Sequence, residues 1–86
     1  MTTLKACSIH DTKAECWTRP MFFMSVGEAL RAFGDACRDE NSQFGKHPED
    51  YNLFMVGEFD ESEGVLHGSE CVHLISGINA KETNER

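Results

Sequence analysis

The stretch Phe44-Gly45-Lys46-His47-Pro48-Glu49-Asp50-Tyr51-Asn52-Leu53-Phe54-Met55-Val56-Gly57-Glu58-Phe59-Asp60 decides the fold. It reads as a loop that delivers a strand. A proline ring keeps the residue before it out of the helical region, so no helix runs through His47-Pro48. Glu49-Asp50 makes a polar turn, and Tyr51 to Phe59 is apolar enough to cross a sheet. Strict alternation puts Tyr51, Leu53, Met55 and Phe59 on one face and Asn52, Phe54, Val56 and Glu58 on the other.

Downstream, Asp60-Glu61-Ser62-Glu63-Gly64 reads as a hairpin loop ending on glycine. The next strand, Val65 to Ile75, places Val65, His67, Cys71, His73 and Ile75 on one face and Leu66, Val72 and Leu74 on the other. Gly68-Ser69 marks a bulge within it. Residues 77–86 turn polar and charged and read as a frayed tail.

Upstream, Ser25 and Glu28 form a capping box ahead of a helix. Val26, Ala29, Leu30, Phe33, Ala36 and Cys37 trace one apolar stripe, while Glu28, Arg31, Asp35 and Arg38 take the other face as two ion pairs three residues apart. Gly34 inside this pattern costs ~1 kcal/mol relative to alanine, which points to close packing of the helix on the sheet. The helix ends between Arg38 and Glu40. Two strands precede it. Leu4 to Ile9 is one; Glu15 to Met24 is the other, with Cys16, Thr18, Phe22 and Met24 facing one way and Trp17, Arg19, Met21 and Phe23 the other. Pro20 cannot donate to a ladder, so this second strand sits at an edge or carries a bulge.

The elements follow one another as strand, strand, helix, strand, strand. The expected fold is α+β, ββαββ, a mostly antiparallel four-stranded sheet with one amphipathic helix packed on it. Residues 1–76 form the single domain.

Composition narrows the function. The chain has 86 residues, which is one small core. Eight Lys and Arg against fifteen Asp and Glu give a net charge of −7. Affinity for nucleic acid comes largely from cations that replace counterions, so this balance disfavours direct DNA binding. No apolar run approaches the ~20 residues of a membrane span, and no basic-then-apolar leader opens the chain, so a cytosolic location is expected. Cys7, Cys16, Cys37 and Cys71 form no CxxC pair or zinc ladder and read as reduced, buried thiols.

The remaining constellations carry little chemistry. His67 and His73 share a strand face at about 20 Å of strand length, too far for one ion, so no metal is expected. Cys71 beside His73 lacks the third group and the pocket that nucleophilic catalysis needs. With no phosphate-binding glycine loop and no G-x-S-x-G, no catalytic residues, cofactor or enzyme activity are expected. The aromatic and thioether run around Trp17, Met21, Phe22, Phe23 and Met24 is hard to place in so small a core. With Arg19 its only basic neighbour, it reads as core or subunit interface, with base stacking the alternative.

One resemblance adds to this. Phe44 with Lys46-His47-Pro48-Glu49-Asp50-Tyr51, then Leu53, Gly57-Glu58-Phe59-Asp60 and Gly64, resembles the small nonstructural protein of gokushoviruses, single-stranded-DNA bacteriophages of the microvirus group. Ala29 and Arg31-Ala32-Phe33-Gly34-Asp35-Ala36 match that family's helix, and Ser8-Ile9, Asp11, Lys13-Ala14-Glu15, Pro20 and Phe22-Phe23 its N-terminal part. The similarity spans roughly residues 4 to 66. It implies a protein of the host bacterial cytoplasm, absent from the mature virion, acting where genome replication gives way to single-strand synthesis and packaging. The resemblance brings no catalytic residues.

The expected function is therefore a nonstructural phage protein that assists single-stranded DNA genome replication, or the switch from replication to packaging. It would do so as a homodimer docking to a viral replication or packaging protein. The alternatives are a single-stranded-DNA-binding protein and a non-enzymatic scaffold or host-interaction protein. The expected interaction residues are Trp17, Arg19, Met21, Phe22 and Phe23, with Lys46, His47 and Tyr51 near the loop.

Overall fold

A computed structural model describes residues 3–83. Strand β1 (Thr3–Asp11) is followed by two short strands, β2 (Cys16–Trp17) and β3 (Met21–Phe23), then helix α1 (Val26–Arg38) and a one-turn helix α2 (Gln43–Lys46). A 3₁₀ turn at Pro48–Asp50 leads into β4 (Tyr51–Asp60), which pairs with β5 (Val65–Ser76), and α3 (Gly77–Glu82) closes the described chain. The sheet runs β2-β1-β4-β5, entirely antiparallel, with β3 also on β1. The α+β architecture read from the sequence holds, with the sheet five-stranded because the second strand is broken in two.

The break has a visible cause. Pro20 has no N–H to give. Thr18 keeps half of its pairing with β1: its N–H donates to the Ile9 carbonyl at 2.9 Å, but the Ile9 N–H turns to Thr18 Oγ1 at 2.9 Å and Ser8 Oγ donates to the Thr18 carbonyl at 2.7 Å. Residues 18–20 thus form an outward loop in one edge strand, and the alternation is shifted across it. Trp17 pairs with His10 and Phe22 with Ala6, so both lie on one face, while Met21 and Phe23 lie on the other. The sequence pattern had separated Trp17 from Phe22 and grouped Trp17 with Met21 and Phe23.

A second shift occurs in β4. Ala6 pairs with Gly57 but Cys7 with Met55, leaving Val56 as an extra residue. Beyond it the faces exchange. Phe59 pairs with Leu4 on the face of Phe54, and Glu58 pairs with Lys5, to which it is salt-bridged at 2.9 Å, on the helix side. Strict alternation had placed both the other way. Strand β5 is irregular around Gly68 and Leu74 too.

The helices cover one face only. Cys7 and Ile9 of β1 and Tyr51 and Leu53 of β4 pack under Ala29, Phe33 and Cys37 of α1 and Ala80 of α3. Ser25 caps α1 as its sequence predicts, its Oγ accepting from the Glu28 N–H at 3.1 Å, while the Glu28 side chain reaches one residue further back than a capping box has it, to the Met24 N–H at 2.7 Å. Arg38 pairs with Asp35 at 3.1 Å.

The reading of 77–86 as a frayed tail is corrected for 77–82. Ser76 Oγ caps α3, Gly77 and Ala80 are buried, and Arg38 donates to the carbonyls of Ala80 (2.9 Å) and Thr83 (2.8 Å). The last three residues of the tail lie outside the described residues. The Arg38 contacts also correct the reading of Gly34. A Cβ there would crowd the Arg38 guanidinium and the Ala80 carbonyl, so the glycine serves helix–helix packing against α3 rather than packing on the sheet.

Candidate functional site

The face of the sheet opposite the helices is the candidate site. Strand register puts Leu4, Ala6, Ser8 and His10 of β1 on it, with Asn52, Phe54, Gly57 and Phe59 of β4, Leu66, Gly68 and His73 of β5, and Trp17 and Phe22 from the edge. The rings form two ranks. The first crosses all four strands of the main path: His10 and Trp17 have centroids 4.6 Å apart, Trp17 and Phe54 5.0 Å, Phe54 and His73 5.2 Å. Edge-on and tilted geometries of this kind are the favourable ones for aromatic pairs. His73 is held by Asn52 Oδ1 at 2.9 Å from its Nε2.

The second rank is Phe22 and Phe59, 5.8 Å apart, with Leu66 opposite Phe59 on β5. Between the ranks the small residues Ala6, Gly57 and Gly68 lie in register and floor a groove of about 180 Å³, walled by Phe22 and Leu66. Gly57 has to be glycine, because a Cβ there would overlap the His67 carbonyl oxygen. Much of this surface meets water: Trp17 is 46% exposed, Phe22 45% and Leu66 60%.

Charge is distributed unevenly. The acidic residues among those described lie in α1, the loop after it, the 3₁₀ turn, α3, the helix side of the sheet, the turn at Glu15, the 60–64 hairpin and the irregular part of β5 at Glu70. Among the described strand residues that register puts on the aromatic face, none is a carboxylate, lysine or arginine. Arg19 is exposed at the edge beside Trp17.

The residues expected to make contacts therefore divide. Trp17 and Phe22 are on the aromatic face, and Arg19 at its rim. Met21 and Phe23 face the helix side, where they line a second apolar cleft of about 180 Å³ against Phe33 and Phe44. Lys46 and His47 are exposed, but they sit in the helix layer. Tyr51 is a core residue, 7% exposed, with its ring 4.7 Å from Phe44. Burial raises its phenol pKa, and the neighbouring Asp11 adds to this. Tyr51 is thus not available as a surface contact. His10, Phe54, Phe59 and Leu66 escaped the sequence reading. Their shared signal was an even spacing on β1 joined to β4 positions whose phase changes at Val56.

Other chemistry is sparse. His67 pairs with Glu58 on the helix side while His73 pairs with Phe54 on the aromatic side, so the two histidines face opposite ways. His47, Glu49 and Asp50 bring ligand atoms within 4.8 Å of one another on the surface, with His47 and Glu49 at 4.0 Å. Burial pushes the Cys7 and Cys37 thiols up, keeping them neutral; the expectation of buried thiols is corrected for Cys16 and Cys71, which lie exposed on the edge strands β2 and β5.

Fold and surface together define a two-layer α+β domain with helices on one face and a bare aromatic sheet on the other. A family model described as Phage ORF5 protein matches residues 4–80, nearly the whole chain, and the protein belongs to that family. No curated protein and no solved structure matches the chain. No helix among the described residues is long and apolar enough to cross a membrane.

Proposed function

We propose that this phage protein is a nonstructural, non-enzymatic accessory that assists single-stranded DNA genome replication, or the switch from replication to packaging. It acts by docking to a viral replication or packaging protein. It works in the host bacterial cytoplasm and is left out of the mature virion. Membership of the phage family supports the setting. The observation that carries the docking mode is the uncovered aromatic face, since contiguous apolar surface rimmed by polar groups marks an interaction site. Trp and Phe are also the residues enriched at the centres of interfaces.

The test is co-purification with the phage's other nonstructural and procapsid proteins. Wild type should retain one of them. Trp17→Ala and Phe22→Ala should release it while Lys46→Ala and His47→Ala do not. Retention unaffected by all four substitutions would overturn the reading.

A second reading, direct binding of single-stranded DNA, is favoured by one observation: the rank His10–Trp17–Phe54–His73 offers ring faces and no carboxylate. Base stacking is worth ~1–3 kcal/mol per base without cations. With Arg19 the one fixed cation at its rim among the described residues, such binding should depend weakly on salt, with a log–log slope near about −1. Titrating Trp17 emission with an oligonucleotide at low and moderate salt decides it. Unchanged emission at low salt leaves the protein-docking reading alone.

A further inference from the structure

The described molecule is only 19 Å through its shortest axis, against 39 and 32 Å across. That is one sheet and one helix layer, with no third layer over the aromatic face. We propose that a second copy of this chain covers that face, sheet against sheet, whenever no other partner holds it; the inference rests on the reading of this face as the working surface. Self-association and docking then compete for Trp17, Phe22, Phe54 and Leu66, and a partner must displace one copy from the other.

Three features favour a second copy. The first is area. Three strands of 9 to 12 residues, with the short β2 and β3 along one edge, give a face of about 600 Å² in plan, and more along its contour. A standard interface takes roughly 800 Å² from each partner, so this face suits a weak dimer that forms as concentration rises and yields to a better partner.

The second is charge. The chain is at −7, so two copies repel one another wherever their carboxylates meet. This face is the surface where the described strand residues bring none together.

The third is shape. The low floor of Ala6, Gly57 and Gly68 runs beside the raised rank of Trp17 and Phe54. A two-fold axis lying in the plane between the two faces, parallel to the rank and midway between rank and floor, lays each raised rank into the other copy's floor, which is the self-complementarity an isologous dimer requires. Packed sheets about 10 Å apart interlock in this way. The strand edges offer no competing route. One edge is interrupted at Thr18–Pro20, and the other is irregular and carries Glu70.

The experiment is sedimentation of the full chain from micromolar to millimolar concentration, with Trp17 emission read on the same samples. The expected result is a concentration-dependent species of twice the 9.7 kDa chain mass, with Trp17 emission moving to the blue and resisting iodide as it forms. Leu66→Glu places a carboxylate on an exposed position, so it leaves the single molecule folded by circular dichroism. It should weaken the dimer about tenfold or more. A chain that stays monomeric to about 1 mM, or a dimer that Leu66→Glu leaves intact with Trp17 still quenched, would overturn the inference. The docking reading is judged separately. A strictly monomeric chain that still retains a viral replication or packaging protein through Trp17 sinks the second copy alone. A face dimer whose retained proteins are indifferent to Trp17→Ala and Phe22→Ala sinks the docking reading alone.

Discussion

Gly77→Ala tests whether α3 belongs to the domain. On local grounds the substitution should help. Alanine is the better helix former, and removing a glycine from the unfolded chain is worth about 0.4–1 kcal/mol where the native backbone accepts a side chain. Tertiary structure reverses the sign. A Cβ at Gly77 overlaps the Pro48 carbonyl oxygen and stands 3.0 Å from the Pro48 carbonyl carbon and 3.1 Å from the Tyr51 carbonyl oxygen. Ordinary contacts begin near about 3.5 Å, so α3 must move by roughly 1 Å. That shift uncovers Ala80, which is 1% exposed, and stretches the two hydrogen bonds from Arg38 to the Ala80 and Thr83 carbonyls. Overpacking of this kind costs about 1–3 kcal/mol, and hydrogen bonds from a charged donor about 1.5–3 kcal/mol when lost entirely. With partial loss of those bonds set against the helix gain, the variant should be about 2 kcal/mol less stable. At 4–8 °C per kcal/mol for a chain this size, the melting temperature falls by roughly 8–16 °C. Thermal and urea denaturation followed by circular dichroism measure it. Gly27→Ala in α1 is the control: its Cβ meets Ser25 Oγ at an ordinary 3.8 Å, so it should raise stability by a few tenths of a kcal/mol or more. If Gly77→Ala melts with or above Gly27→Ala, α3 is not docked as described and the reasoning is wrong.

Thiol titration should separate the cysteines: Cys16 and Cys71 react promptly with a disulfide reagent, whereas Cys7 and Cys37, buried with raised pKa values, react at the rate of unfolding. Arg38→Met keeps the apolar stem and removes the carbonyl contacts, so it should cost about 1–2 kcal/mol and free α3 first, visible as early amide exchange over residues 77–82. The Asp60 carboxyl is held below its ordinary pKa, mainly by the Ser62 hydroxyl, with the Ser62 and Glu63 amides helping. A depressed carboxylate stabilises the folded turn above its unfolded pKa and loses that contribution as pH falls through the folded value. The 60–64 hairpin should therefore loosen below about pH 4, and Asp60→Asn should remove that pH dependence from its amide shifts.

Much of the frame is legible along the chain. The capping box at Ser25 and the apolar stripe to Cys37 mark α1 because helical periodicity and cap chemistry are local. His47-Pro48 and the Asp60–Gly64 turn bracket β4 for the same reason. The candidate site is legible only in part. Trp17, Phe22 and Arg19 stand out as residues too large or too isolated for the core, whereas Tyr51, Met21 and Phe23 look similar in sequence and go to the helix side. The local sign of α3 is the Ser76 cap alone; its short polar segment is helical because Gly77 and Ala80 fit against Pro48, Tyr51 and α1.

By itself the sequence determines the strands, the capped helix, the hairpin and the phage family. Which face each aromatic occupies is decided by tertiary structure. A strand tells its faces apart by a period of two, and one extra residue reverses everything beyond it. Val56 does this in β4 and Thr18–Pro20 does it at the edge. Those two shifts bring Trp17, Phe22, Phe54 and Phe59 onto one surface, and only pairing with the straight ladder of β1 shows where they fall.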